Sequence, residues 1–455
     1  TIKMYYGNYQ GQHFYKNLPG WAKMQNMDFT LSSDNTYTTY PWHYYYMLIG
    51  NANPLIEAID FATGKEEDRL YIKAQALTFR AYAYMQLNQI YGQRWSDSDD
   101  GNNPSVVLRI KSGSEPIALS SQNDVYKQIY KDLDDAIEMF EASGVKRRSE
   151  FFYEPNLDVA HAVYARAAIT KGDHENAVKH AQLASKNYSL MSNDQYKSGF
   201  STPNSEWIWG SYNAHDENLH YWSFYAYIGY NTTASAGRNT PCIISRVLFN
   251  KIPETDIRKE LFLNPGDDYI PTNNGLLNEA KGKAPEDAAL AAEYRTRFPD
   301  IESDAKMYKY MQFKFKATAH PGVGNLNHFR SAEMYLIEAE ALHKLGKDSE
   351  AQIVLNKLTQ PRDPNYNCTK TGDELFEEIK TYRAIELWGE GFDWFDLKRW
   401  GDDRVRNSYK TKTSTLDDAL YDQFPNSLDK TISPQEQNQW AYAIPKKESD
   451  YNPAI

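Results

Sequence analysis

Several long segments of the sequence space their apolar residues three and four positions apart, which is the period of an amphipathic helix. The clearest segments cover residues 63–91, 329–345 and 371–389, and weaker ones cover residues 44–61, 124–141, 158–171 and 174–186. Thr63 and Glu66 have the spacing of a capping box at the start of the first segment, as Thr371 and Glu374 have at the start of the third. This pattern predicts a mostly α-helical protein.

Two pairs of these helices are joined by short turns. The turns read "KGDHENA" at 171–177 and "LGKDSEA" at 345–351, and each contains a glycine that can end the first helix. Antiparallel helix pairs of this kind are typical of tetratricopeptide-type units. Because the period between the pairs is irregular, the sequence predicts degenerate repeats inside one larger fold.

Long stretches between the helical segments have the composition of loops but carry many aromatic residues. They cover residues 21–41, 95–121, 196–304 and 402–439, with short strands predicted at 206–210 and near 307–315. Tyr, Phe and Trp make up 14% of the chain, which is too many for loops that stay disordered. Loops of this length in a compact domain usually carry the function. We therefore expect the functional site on the loops.

Composition excludes several classes of function. The 61 acidic and 50 basic residues give a net charge of −11, and no run of Lys or Arg follows a phosphate backbone, so nucleic acid is not an expected partner. Cys242 and Cys368 are too few for a disulfide framework or a zinc cage, although a single disulfide between them stays open. No stretch approaches about 18 apolar residues, the length of a membrane-spanning helix.

Two motifs suggest chemistry, but each has a simpler explanation. The acidic loop "DSDDGNNP" at 97–104 resembles a calcium site, yet its spacing does not fit an EF-hand, and a solvated turn is favoured. The segment "ELWGEGFDWFDLKRW" at 386–400 contains four carboxylates that a glycoside hydrolase might use as a pair about 5 to 9 Å apart. The favoured interpretation is structural, with Glu386 and Asp396 paired to Arg383 and Arg399. No catalytic residue, metal site or cofactor is predicted.

Four blocks of the sequence resemble the SusD/RagB family of Bacteroidetes. They are "LYIKAQALTFRAYAYMQLNQIYGQ" at 70–93, "FRSAEMYLIEAEALHKLGKDSEAQIVLNKL" at 329–358, "IKTYRAIELWGEGFDWFDLKRWG" at 379–401 and "AYAIPKKESDYNPAI" at 441–455. A fifth, "IPETDIRKELFL", lies at 252–263. The resemblance implies a SusD-like fold in which degenerate tetratricopeptide-type helix pairs support a loop-rich half with few strands. It implies an N-terminal part at 1–190 and a C-terminal part at 191–455, packed as one unit.

The same resemblance implies a function at the cell surface. Family members capture glycan and deliver it to a SusC-like TonB-dependent transporter, which they cap. They are held at the outer membrane by a lipid on an N-terminal cysteine that this chain does not contain. A carbohydrate-binding protein that is not an enzyme is therefore expected, with a glycoside hydrolase and a tetratricopeptide-type interaction scaffold as the alternatives.

Loop aromatics beside polar side chains are the predicted glycan contacts. A sugar offers a face of C–H groups and an edge of hydroxyls, so its site combines aromatic platforms with hydrogen-bonding partners. Trp42 is the sharpest hypothesis, because it lies beside the predicted start of a helix that would hold it rigidly. The predicted glycan-binding residues are Asp34, Asn35, Tyr37, Tyr40, Trp42, Trp95, Trp222, Tyr225, Asn231 and Arg238.

Overall fold

The computed structural model describes residues 2–16, 19–213, 221–266, 275–406, 428 and 430–455. Helices dominate these residues, which confirms the predicted fold class. A π-helix covers Lys3–Asn8. The α-helices are α1 (Ala22–Gln25), α2 (Thr36–Ala58), α3 (Glu66–Tyr91), α4 (Gln122–Ser143), α5 (Leu157–Lys171), α6 (His174–Ser185), α7 (Asn193–Lys197), α8 (Phe224–Ile228), α9 (Ser235–Arg238), α10 (Arg246–Asn250), α11 (Pro285–Arg297), α12 (Ser331–Lys344), α13 (Asp348–Thr359), α14 (Gly372–Glu386), α15 (Asp393–Trp400) and α16 (Lys446–Tyr451).

The strands are short and form only two-stranded antiparallel sheets in the described part of the chain. They are β1 (Phe14–Lys16), β2 (Pro104–Val107), β3 (Leu119–Ser121), β4 (Trp207–Ser211), β5 (Cys242–Ile244), β6 (Leu326–Arg330), β7 (Arg404–Arg406) and β8 (Lys430–Ile432). The pairs are β1 with β5, β2 with β3, β4 with β6, and β7 with β8. The strand predicted at 206–210 is confirmed as β4. The one predicted near 307–315 is wrong, because that segment makes only isolated bridges.

The two predicted helix pairs are present. α5 and α6 are joined at Gly172, whose φ of +83° suits glycine, and Asp173 caps α6 by accepting a hydrogen bond from the backbone N–H of Asn176 at 3.3 Å. α12 and α13 are joined at Gly346, with φ of +72°. α12 also packs against α6, so the two pairs lie side by side. The boundary predicted between residues 190 and 191 stays a prediction.

The start of α2 differs from the prediction, which had placed residues up to Pro41 in a loop. Asn35 caps the helix by accepting a hydrogen bond from the Tyr37 backbone N–H at 2.9 Å, so α2 begins at Thr36. Pro41 has no N–H to offer the Tyr37 carbonyl. The Tyr6 hydroxyl donates to that carbonyl instead, at 2.7 Å. A contact distant in sequence thus allows proline inside the helix.

The predicted capping boxes are wrong in detail. α3 begins at Glu66 after Lys65, and no side chain caps it. Thr371 does occupy the N-cap position of α14, but its side chain makes no capping hydrogen bond. Acidic residues in the first turns of both helices stabilise the N-termini through the helix dipole. The polar composition near each helix start therefore indicated where the helix begins, whereas the predicted capping side chains do not form their hydrogen bonds.

A buried charge network holds the C-terminal end of α14 against β6. Arg330 donates to Glu206 at 2.6 Å, to Glu386 at 2.8 Å and to Glu390 at 2.7 Å. Glu386 also accepts from Arg258 at 2.8 Å. The predicted pairing of Glu386 with Arg383 is therefore wrong.

Two close contacts attach the N-terminal segment to the loop after α14. The Asn8 side chain donates to the Gly389 carbonyl at 2.7 Å and accepts from the Gly391 N–H at 2.8 Å. A Cβ atom at Gly7 would lie 2.1 Å from the Gly391 carbonyl oxygen, so only glycine allows this approach. The contacts place the start of the π-helix beside α3 and α5, at the wall of a cavity.

Candidate functional site

A cavity of about 350 Å³ opens between the N-terminal segment, α2, α3, α5, α14, α15 and three further segments. These segments lie at 211–213, 222–224 and 324–328, at the ends of β4, α8 and β6. Four of the aromatic side chains that line the cavity are exposed to solvent: Tyr40 (40% exposed), Tyr44 (37%), Tyr212 (58%) and Trp222 (59%). Rings with open faces around a concave surface are unusual for core residues, so this cavity is the candidate binding site.

Tyr40 and Tyr44 form one side of the cavity. They lie four residues apart on α2 and therefore share a helix face. Their ring centroids are 6.3 Å apart, and their planes differ by 28°. Tyr45 behind them is buried and meets Tyr82 edge to face at 6.2 Å. The exposed pair thus rests on a packed aromatic layer.

Trp222 lies at another part of the cavity wall, and Ser223, the residue that follows it, holds its backbone in place. The Ser223 hydroxyl caps α8 by accepting from the Ala226 N–H at 3.1 Å, and it donates to the Gly322 carbonyl at 2.5 Å. The Trp222 ring centroid lies 6.4 Å from that of Tyr227 on the same short helix. The backbone of Trp222 is therefore fixed at a helix start, while more than half of its side-chain surface faces solvent.

The charged side chains of the cavity are paired with protein groups. Arg166 contacts Glu333 through two hydrogen bonds of 2.6 Å, and its guanidinium lies 3.5 Å from the ring centroid of Phe329. Asp396 accepts from Arg383 at 2.7 Å and from Arg399 at 2.8 Å. This pairing of Asp396 confirms the prediction. Neutral amide groups, including Gln89 and Asn213, line the remaining wall.

The Glu390 carboxylate of the cavity is unsuited to acid catalysis. Burial alone would raise the pKa of Glu390, but Arg330 and Lys314 outweigh burial and lower it to about 2. A general acid needs a pKa near the operating pH, and Glu390 stays ionised at neutral pH. Its oxygens are occupied by hydrogen bonds from Arg330 and Lys314 at 2.7 to 2.9 Å.

The predicted residues from 34 to 37 lie near the cavity but do not line it. Asp34 is exposed, and Asn35 is occupied as the cap of α2. The ring of Tyr37 is half-buried and stacks on Phe29 at 5.5 Å. Tyr5 links it to the Trp222 side, because the Tyr5 centroid lies 5.8 Å from Tyr37 and 5.9 Å from Tyr227.

Trp42, Tyr225 and Asn231 are buried, and the structure gives them packing roles. Trp42 is 4% exposed; its indole N–H donates to Glu448 at 3.1 Å, and Tyr91 meets its ring edge to face at 4.9 Å. The Tyr225 hydroxyl donates to a backbone carbonyl, and both ends of the Asn231 amide bond to the backbone of Ala317. None of the three has a face open to a sugar, so we remove them from the proposed site.

Trp95 and Arg238 lie elsewhere. Trp95 is half-buried and packs edge to face with Tyr126 at 5.3 Å, with Lys171 over its ring. Arg238 pairs with Asp304 at 3.2 Å. In the loop at 97–104, the Asp97 carboxylate is bound by Arg94. No group of three or more metal-ligating side chains is found among the described residues.

Comparison with known proteins gives the family. A model described as the SusD family matches residues 184–455, and a second, described as starch-binding associating with outer membrane, matches residues 2–170. The first match alone covers more than half of the chain. The chain belongs to the SusD family.

Relatives and solved structures agree with this membership. SusD-like protein P38 of Formosa agariphila is 23% identical, over 88% of this chain and 80% of its own. A SusD-like carbohydrate binding protein from Bacteroides vulgatus superposes with a TM-score of 0.77 at 23% identity, covering 100% of this chain and 91% of its own. Surface glycan-binding protein A from Bacteroides thetaiotaomicron, solved with laminarihexaose, matches with a TM-score of 0.68 at 16% identity, covering 98% and 91%. These structures establish the SusD fold.

Two cavity residues of this SusD-family chain were missed by sequence reasoning. Tyr44 was assigned to the apolar start of a helix, and its four-residue spacing from Tyr40 was overlooked because Tyr40 was placed in a loop. Tyr212 follows the strand that carries Trp207 and Trp209, both of which are buried. Residues that directly follow a buried strand are a usable signal, because they are held rigidly and yet face the surface.

Proposed function

We propose that this SusD-family protein binds oligosaccharides in the cavity bordered by Tyr40, Tyr44, Tyr212 and Trp222. The observation that carries the proposal is the set of exposed rings facing one concave surface. Each ring offers a flat platform to the C–H face of a sugar. Amide side chains on the walls match sugar hydroxyls as donors and acceptors.

The ligand leaves the site unaltered. Among the described residues that line the cavity, the acidic side chains Glu390 and Asp396 are each held by two cationic groups, which leaves no free carboxylate pair there for glycosidic cleavage. The glycoside hydrolase alternative is therefore disfavoured. The scaffold alternative is disfavoured because four of the exposed rings surround one cavity and do not follow repeated helix faces.

Membership in the family supports a place at the outer membrane. The model matching residues 2–170 is described by starch binding and outer-membrane association, and one structural neighbour was solved with laminarihexaose. We place the protein on the cell surface, held by an N-terminal lipid anchor, where it passes glycan to a SusC-like TonB-dependent transporter. Within the described ranges, the helices are too short or too polar to cross a bilayer.

A glycan array followed by calorimetry tests binding. We expect Trp222→Ala to weaken binding of the best array ligand about 5- to 150-fold, since stacking on an aromatic ring contributes about 1 to 3 kcal/mol in the related case of nucleic-acid bases. Its melting temperature should stay unchanged, because the side chain is 59% exposed. Tyr451→Ala is the matched control, since Tyr451 is 85% exposed and does not line the cavity. Equal affinity of Trp222→Ala and the unaltered protein would exclude this cavity.

Two further measurements test the remaining parts of the proposal. Incubation with the array ligand should release no reducing ends over a day, and protein-dependent release after repurification would establish a hydrolase. Affinity capture of the anchored protein from native outer membranes in mild detergent should recover a TonB-dependent transporter. Recovery of none would remove the transporter from the proposal.

A further inference from the structure

A second, larger cleft of about 890 Å³ lies beside the start of β4 and the loop before α5. It is bordered by the C-terminal end of α4, the N-terminal end of α5 and the loops at 187–189 and 203–205. Buried Trp207, at the start of β4, contributes to its wall. The cleft is separate from the cavity around Trp222, and the two share no lining residue.

The walls of this cleft are rigid, and the groups they offer are mostly neutral. Arg147 donates to the carbonyls of Glu154 at 2.8 Å and Ile208 at 3.0 Å, so its charge is used to hold the wall. Asp158 accepts from the Tyr188 hydroxyl at 3.1 Å. The rim carries the exposed side chains of Ser189 and Ser205. The other two charged side chains of the lining, Glu141 and Lys146, are exposed and opposite in sign. With the hydroxyl groups of the rim, a lining without net charge suits a neutral polyhydroxyl ligand.

A row of aromatic rings connects the two cavities. Tyr212, which lines the first cavity, lies 6.3 Å from Tyr153 between ring centroids. Tyr153 lies 5.6 Å from Phe152, which lines the second cleft, and Phe152 lies 5.9 Å from Trp207. Tyr153 is 38% exposed and Tyr212 is 58% exposed, so the row has an open face between the cavities.

Strand β4 fixes the distance between the two ends of this row of rings, Trp207 and Tyr212. Trp207 is its first residue and Tyr212 follows its last, which places the ends roughly 17 Å apart at about 3.3 Å per residue. The loop that carries Tyr153 is bonded to this strand: the Gly210 N–H donates to the Phe152 carbonyl at 3.1 Å, and the Trp209 indole donates to the Tyr153 carbonyl at 2.9 Å. The row of rings is therefore part of the rigid frame.

We propose that the second cleft is a further subsite for the same glycan, reached along the row formed by Tyr212, Tyr153 and Phe152. The ligand class is then a linear, neutral glycan long enough to leave the first cavity and follow the rings. A monosaccharide or disaccharide fills only one of the two sites. This inference rests on the proposed function, since it extends the cavity assigned there.

The test compares ligands of one type and increasing length. The probes are the linear series derived from laminarin, starch, xylan and mannan, each from the disaccharide to the polymer, measured by calorimetry. For the series that binds, we expect affinity to continue rising beyond the lengths that the first cavity holds. Tyr153→Ala should weaken binding of the long members at least about five-fold and leave the short members unchanged. Tyr153→Phe keeps the ring and should retain long-chain affinity.

A second variant covers the case in which Tyr153→Ala lowers the melting temperature. Ser205→Trp fills the cleft from its exposed rim without touching the first cavity, and it should also weaken only the long members. Length-independent affinity, or long-chain binding unaffected by Ser205→Trp, overturns the inference and leaves the proposed function intact. If no member of any series binds the unaltered protein, the proposed function fails and the second subsite fails with it.

Discussion

Replacing Arg330 by Met is expected to destabilise the whole domain. The guanidinium of Arg330 is 1% exposed and lies among Glu206, Glu386 and Glu390, of which the least buried is 6% exposed. Met removes the cation at similar volume and leaves these carboxylates facing one another. Lys314 and Arg258 remain near them, so the network would keep two cations but would have too little positive charge to balance its carboxylates.

The expected loss follows from the cost of breaking a buried pair. Removing one partner of such a pair costs about 3 to 5 kcal/mol, because a buried charge is left uncompensated. An unfolding entropy of about 2.1 cal/mol/K per residue gives roughly 1 kcal/mol/K for 455 residues. The melting temperature should therefore fall by roughly 3 to 5 °C. Arg330→Lys, which keeps the charge but loses the fork geometry, should lose less.

Differential scanning calorimetry measures the melting temperature of Arg330→Met, with Arg148→Met as the matched control. Arg148 is 65% exposed and lies 3.6 Å from an exposed partner, Glu150. Exposed pairs contribute about 0 to 1 kcal/mol, so the control should melt within about 1 °C of the unaltered protein. If Arg330→Met also melts within that range, the network is not structural and the carboxylates of residues 386–400 must be reconsidered as functional groups.

Three further predictions concern packing and pH. Gly7→Ala should lower the melting temperature, because its Cβ would meet a backbone carbonyl oxygen at 2.1 Å. Gly50→Ala, whose Cβ would lie in open space on a helix, should instead raise stability by about 0.5 to 1 kcal/mol. Equal melting of the two variants would contradict the close contact. Trp42→Ala should lose roughly 3 to 5 kcal/mol in urea unfolding, and an unchanged midpoint would mean that the ring is not core. Burial lowers the pKa of His161 to about 4 and that of His180 to about 3. Below pH 6.5 the unfolded chain therefore binds more protons than the folded chain, so the stability of the fold should decrease as the pH drops from 6.5 to 4. His180→Gln should reduce this fall between pH 7 and 5, and an unaltered slope would exclude the histidines as its cause.

The helical frame could be predicted because its signals are local. The apolar spacing in α3, α12 and α14, and the glycines after α5 and α12, act within a few residues of where they stand. Family membership was equally visible, since the blocks at 329–358 and 379–401 lie within the residues that the family model matches. The start of α2 was missed because the partner of its free carbonyl, Tyr6, comes from a different part of the chain.

The aromatic loops of the sequence indicated a functional surface, the family resemblance made a glycan its expected ligand, and the helical spacing determined the frame that carries that surface. Only the tertiary structure decided which rings are open. Trp42 lies in the second turn of α2 and Trp222 just before α8, both in aromatic surroundings, yet one is 4% and the other 59% exposed. Exposure depends on what the rest of the chain brings to a ring: Glu448 and Tyr91 cover Trp42, whereas the described neighbours of Trp222 border a cavity. Such contacts join residues distant in sequence, so no local pattern encodes them.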